Sequence, residues 1–209
     1  SHQYSLGTIL SVNKRMELLE WAYKNNGLII EDDYDSMIRY GGMPIPCLQG
    51  LDKNDCVVYL GSFSKMLLPS LRISFMVIPE KLLKKYNSIK SRHTQSTSKI
   101  DQLVLASFMK EGHMVKHLRK VKRIYRKKNL LLTGYLKSIL GDKLEIINSD
   151  SGLHVVCEAS TLKPEEKIKN AAEHSHVHLN IISSRNNKVT FSLNYSGIDL
   201  DKIQEFTEL

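Results

Sequence analysis

Apolar and polar positions follow two periods along this chain. In residues 14–24, Met16, Leu18, Leu19, Trp21 and Ala22 recur at helical spacing on one broad face, and Asn25-Asn26-Gly27 supplies a stop. Leu28-Ile29-Ile30 then runs straight into Glu31-Asp32-Asp33, the pattern of a buried parallel strand whose end opens onto a site. Residues 55–60 and 71–78 are two more apolar runs of strand length; between them, Gly61-Ser62-Phe63-Ser64-Lys65 is a turn of small residues ending in a lysine. A helix follows the third run, and residues 100–140 keep a helical period with a predicted break near Gly112. After Gly141 the pattern shortens, predicting strands over 144–147, 152–157 and 189–193 and helices near 165–173 and 199–208. This order predicts an α/β body followed by a smaller α+β unit.

Composition narrows the class. The chain has 209 residues, 42% apolar and 25% charged, which excludes disordered, collagen-like and coiled-coil readings. No window reaches about 18 uninterrupted apolar residues, since 129–140 contains Thr133, Lys137 and Ser138, so no membrane span is expected. The polar start lacks the apolar core of a signal peptide. Cys47, Cys56 and Cys157 are odd in number and lack CxxC or zinc spacing, which points to a reducing, cytoplasmic setting. His93, His113, His117 and His154 show no metal-site spacing, and no metal is expected.

The formal net charge is +8, and residues 110–128 hold nine Lys/Arg against the single acid Glu111. Such a block could attract nucleic acid, with a steep salt dependence. Val115, Leu118, Val121, Ile124 and Tyr125 interrupt it at helical spacing, so it reads first as a solvated helix face over one buried stripe.

The chemistry gathers at strand ends: Asp32, Tyr34, Lys65 and Arg72, with Ser62 beside the lysine. Asp32 and Tyr34 are two apart, so on extended backbone they point to one side while Asp33 points to the other. A lysine in an apolar turn is suited to Schiff-base chemistry, because desolvation and neighbouring cations free its amine. A carboxylate that holds a pyridine nitrogen protonated is the other half of an electron sink.

These residues carry a resemblance. Ile30-Glu-Asp-Asp-Tyr-Asp-Ser36, Arg39-Tyr40, Pro44, Pro46, Tyr59-Leu-Gly-Ser-Phe-Ser-Lys65, Leu68-Pro69 and Leu71-Arg72-Ile73 resemble the aminotransferase-like domain of MocR/GabR-type regulators of the GntR superfamily. Ser1-His-Gln-Tyr4, Leu6-Gly7, Arg92-His93-Thr94, Glu111-Gly112-His113, His117-Leu118-Arg119 and Gly152-Leu153-His154 extend it over nearly the whole chain. The resemblance implies a fold-type I, pyridoxal 5′-phosphate (PLP) dependent α/β architecture. Residues 1–95 would form the second half of a mostly parallel large domain, 96–140 connecting long helices, and 141–209 the small α+β domain.

It also implies roles. Lys65 would form the Schiff base with PLP, Asp32 would pair with the ring nitrogen, Tyr34 would hydrogen-bond the 3′ oxygen, Ser62 and Arg72 would contact the phosphate, and Ser64 would be a further cofactor-binding residue. Arg185 or Lys188 would take the carboxylate of an amino-group effector. The whole protein would be a homodimer that binds DNA through a winged helix-turn-helix outside this chain. The same residues also suit the alternative, a working aminotransferase acting on an amino acid. Met37 stands where the family has Glu, and Ser5 where it has Pro. Because the family's domain is about twice this length, the chain reads as a fragment, with weak PLP affinity unless the other half is supplied.

Overall fold

Local signals start and stop the first helix. In the computed structural model, which describes residues 2–3, 6, 8–34, 36–39, 46–92, 94, 97–149, 153–174 and 177–203, α1 (Val12–Lys24) is capped by the Ser11 hydroxyl, which accepts from the Lys14 amide at 3.4 Å. Ser1, Tyr4, Ser5, Gly7, Tyr40, Pro44, His93, Gly152 and the expected helix beyond residue 203 lie outside the described residues. At the other end of α1, Asn25 Nδ2 donates to the Trp21 carbonyl at 2.8 Å, and Asn26 turns the chain with φ of 49°. The buried stripe is narrower than the predicted face: Arg15, Leu19 and Ala22 are buried, while Met16 and Trp21 are exposed. At about 100° per residue, Met16 and Trp21 fall on the two shoulders of that stripe, so their apolar character does not bury them.

The contacts divide the chain into two units, the first built mainly from residues 9–37 and the stretch ending at Leu118, the second mainly from Arg119 onward. A short ribbon pairs β1 (His2–Gln3) with β2 (Thr8–Ile9). In the first unit β3 (Ile29–Asp33) lies parallel to β4 (Val57–Ser62), with Ile29 opposite Val57 and Asp33 opposite Gly61. Between them comes the short helix α2 (Leu48–Leu51). Leu19, Leu48 and Val57 form the buried core, packed by Leu18, Ile29 and Leu51.

Two expectations about these strands are corrected. Leu28 and Ile30 are exposed, Ile30 by 66%, so the apolar run is not a buried strand within this chain. Residues 71–78 are not one strand either: Pro69–Leu71 is a 3-10 turn, Arg72 takes a left-handed φ of 49°, and only β5 (Ser74–Val77) pairs, antiparallel to β4. Pro69 presets φ for the turn, and the reversal at Arg72 aims the chain back along β4.

Helices α3 (Glu80–Ile89), α4 (Lys99–Lys110) and α5 (His113–Leu140) follow, the last two separated at Gly112 with φ of 76°, where the break is predicted. The α5 stripe runs through Met114, Leu118, Val121, Tyr125, Leu132 and Leu136, whereas Val115 and Ile124 face outward, contrary to the expected grouping. Nor is the basic block uniformly solvated. Lys128 is buried, its Nζ donating to the Ser196 carbonyl at 3.1 Å and lying 5.5 Å from the Tyr125 ring centre.

The second unit is a four-stranded antiparallel sheet ordered β6 (Leu144–Asn148), β7 (His154–Ser160), β9 (Lys188–Asn194), β8 (Asn180–Arg185), with α6 (Glu165–His174) between β7 and β8. Leu144, Val155, Cys157, Val189, Phe191 and Tyr195 make its core. Strand β8 has no clean alternation to announce it; it is built by its hairpin, whose Asn186 and Asn187 both adopt positive φ, 53° and 59°. No described helix is long and apolar enough to cross a membrane.

Candidate cofactor site

Each acid of Glu31-Asp32-Asp33 goes to a different place. Partners across a sheet share a face and neighbours along a strand alternate, and here Glu31 lies opposite Tyr59, Asp32 opposite Leu60 and Asp33 opposite Gly61. Asp32 therefore shares a face with Leu60 and, two residues on, Ser62. Glu31 and Asp33 sit on the other face with Tyr59 and Gly61. Both β3 and β4 run parallel, so these groups collect where the two strands end.

The buried acids build the frame. Glu31 accepts from the Leu48 and Gln49 amides at 2.9 and 3.0 Å, at the start of α2, and pairs with Arg15 Nη1 at 3.5 Å. Arg15 also donates to the carbonyls of Leu10 and Pro46. Asp33 accepts from the Ser36 amide at 3.1 Å, the Ser36 hydroxyl at 2.5 Å and the Tyr59 hydroxyl at 2.7 Å. Burial, then the bond to Asp33, pushes the Tyr59 phenol well above its ordinary pKa, which keeps it a donor. These bonds fix the bend after β3 that carries Tyr34. Tyr34 and Ser62 line a cavity of about 190 Å³ together with Asp33, Tyr59, Phe63 and Phe75. Gly61 lets the Phe75 ring lie over β4, where a Cβ would collide with it.

Asp32 is exposed, as are Lys65, on the turn that leaves β4, and Arg72, on the bend before β5. Ser62 Oγ accepts from the Ser64 amide at 3.2 Å, which leaves the Ser62 O–H as a donor; Ser64 itself is half-buried in the turn. Arg185 and Lys188 belong to the second unit, where they flank the Asn186-Asn187 turn. There the Lys188 ammonium donates to Glu158, which raises its pKa. Among the described residues no cluster of His, Cys, Asp or Glu could hold a metal, and all three cysteines are free thiols.

Asp33, Tyr59, Arg15 and His117 are supporting groups to which sequence reasoning assigned no role in the site. Three acids in a row at a strand end signal that at least one must be buried and partnered. His117 has no such signal: its Nε2 lies 2.9 Å from the Met66 carbonyl across 51 residues of sequence.

The sequence profile of the family "Aminotransferase class I and II" matches residues 5–208. The chain belongs to this family. Similar proteins include the uncharacterized HTH-type transcriptional regulator YdeL of Bacillus subtilis (strain 168), 40% identical over 98% of this chain and 45% of that protein. The probable rhizopine catabolism regulatory protein MocR of Rhizobium meliloti is 33% identical over 98% of this chain and 42% of its own length. Among solved structures, Pyrococcus horikoshii kynurenine aminotransferase superposes with a TM-score of 0.82 at 25% identity, over 95% of this chain and 50% of that one. The chain thus spans about half the length of the proteins it matches, and its fold is the mixed α/β aminotransferase fold.

Proposed function

We propose that this chain is the PLP-binding, effector-sensing part of a MocR-type transcriptional regulator. In this reading the Lys65 amine is the group that would join the cofactor aldehyde, with loss of water. The Asp32 carboxylate holds a proton on the ring nitrogen, the Tyr34 hydroxyl donates to the ring oxygen, and Ser62, Ser64 and Arg72 hold the phosphate, Arg72 through its planar fork of donors. When bound, PLP supplies an electron-withdrawing ring that can hold an amino-group ligand covalently. Ligand exchange at Lys65 then shifts the population of conformations in a cytoplasmic homodimer whose DNA-binding module lies outside this chain.

The observation that carries the reading is the strand register: it supports placing Asp32 and Ser62 on one face at the ends of two parallel strands, with Lys65 three residues beyond Ser62. A carboxylate, a phenol, hydroxyls, an amine and a guanidinium are the acceptor, donors and nucleophile that PLP's nitrogen, ring oxygen, phosphate and aldehyde require.

The test is reduction of the full-length natural protein with borohydride in the presence of PLP, followed by peptide mass spectrometry. A pyridoxyl adduct on Lys65 is expected, absent in Lys65→Ala and reduced in Asp32→Ala; an unmodified Lys65 at saturating PLP refutes the reading. The TM-score of 0.82 to an aminotransferase supplies the fold that a second reading, a turning-over enzyme, also requires. Steady conversion of an amino acid and a keto acid would establish that one, and its absence alongside ligand-dependent DNA binding the first.

A further inference from the structure

The lysine turn is shaped by local bonds but placed by distant ones. Within it, the Ser64 amide donates to Ser62 Oγ, and the Met66 and Leu67 amides donate to the Phe63 carbonyl at 3.2 and 2.9 Å. These set the curvature of the turn and would survive if it swung as a body. Its entrance is tied to the lead-in of β5 by the Phe63 amide, which donates to the Ile73 carbonyl at 3.0 Å. Its exit, just past Lys65, is tied by one side chain from a distant helix: His117 of α5, at 2.9 Å from the Met66 carbonyl.

A carbonyl only accepts, so the His117 Nε2 carries the proton in this bond. The ring is oriented by Phe108 of α4, edge-on at 6.4 Å between centroids. Met66 is buried, and beside His117 the mostly apolar groove is walled by Leu67, Leu68, Leu71, Leu105 and Phe108, with Asp101 the charged residue of its lining among the described residues. In such apolar surroundings a hydrogen bond is strengthened and a deserted carbonyl is costly. Helix α5, which carries His117, starts directly after the positive-φ break at Gly112, whose φ is 76°.

We propose that His117 is a positioning residue for Lys65: by holding the Met66 carbonyl it fixes the turn from which the amine reaches the cofactor. This rests on the reading of Lys65 given above. Losing this part-buried bond is expected to weaken PLP capture about tenfold.

The experiment titrates the full-length natural protein with PLP, traps with borohydride and quantifies the pyridoxyl-Lys65 peptide, with amide hydrogen exchange of residues 63–68 followed in parallel without PLP. His117→Leu, and His117→Asn as a second variant too short to reach, are expected to need about tenfold more PLP for half-maximal labelling, with faster exchange at Met66 and Leu67. His117→Gln, whose amide can donate to the same carbonyl, is expected to stay near wild type. Should the Leu and Asn variants keep the wild-type half-saturation and lose only labelling plateau, the role is structural and the proposal falls. If wild type itself leaves Lys65 unlabelled, the cofactor reading fails instead, and the exchange data then decide whether His117 holds the turn.

Discussion

Replacing Glu31 tests the frame under the site most directly. Its carboxylate and the Arg15 guanidinium are 3% and 2% exposed, so solvent screens their interaction little. Glu31→Ala removes the acceptor of two backbone amides and takes away the carboxylate 3.5 Å from a buried guanidinium that stays bound to the Leu10 and Pro46 carbonyls. Breaking one side of a buried pair is destabilising by about 3–5 kcal/mol. For a chain of this length each kcal/mol moves the melting midpoint by about 2–4 °C, so a fall of about 6–20 °C is expected. Thermal unfolding followed by circular dichroism at neutral pH measures it. The double variant Arg15→Met with Glu31→Leu removes both charges together and is expected to lose less stability than either single change to alanine, because both members of the buried pair leave together. A loss below about 1 kcal/mol in Glu31→Ala would mean that the pair is solvated, and the reasoning would fail.

Two further outcomes follow from single positions. Gly112→Ala meets no neighbouring atom within 4 Å, so its effect is purely that of a φ of +76°; a loss of about 1–2 kcal/mol in urea unfolding is expected, with Gly112→Asn milder, and an unchanged midpoint would contradict it. Burial pushes the Cys157 thiol up to about 11, so the folded state favours the neutral form. Its contribution is complete below the unfolded thiol pKa of about 8.5 and is lost as pH rises toward about 11. Urea midpoints are therefore expected to fall over that alkaline window, less steeply in Cys157→Ala; equal slopes would show that the thiol is not responsible.

Much of this protein is written in neighbouring residues. Asn25-Asn26-Gly27 after the first helix, Gly112 between the two long helices and the turn ending at Lys65 are local signals, and the structure uses each of them. The period of two likewise separates Asp32 from Asp33, and the pairing of β3 with β4 keeps them on opposite faces. What local pattern leaves open is which face is covered and by what. Met16, Trp21 and Ile30 are as apolar as Leu19 and Ala22, yet they stand exposed, because burial depends on another element arriving over them. The antiparallel return of β5, the buried ion pair of Arg15 with Glu31 and the reach of His117 to Met66 were decided by tertiary structure alone. Each joins residues far apart in the chain, and periodicity carries information only about side chains a few positions from one another.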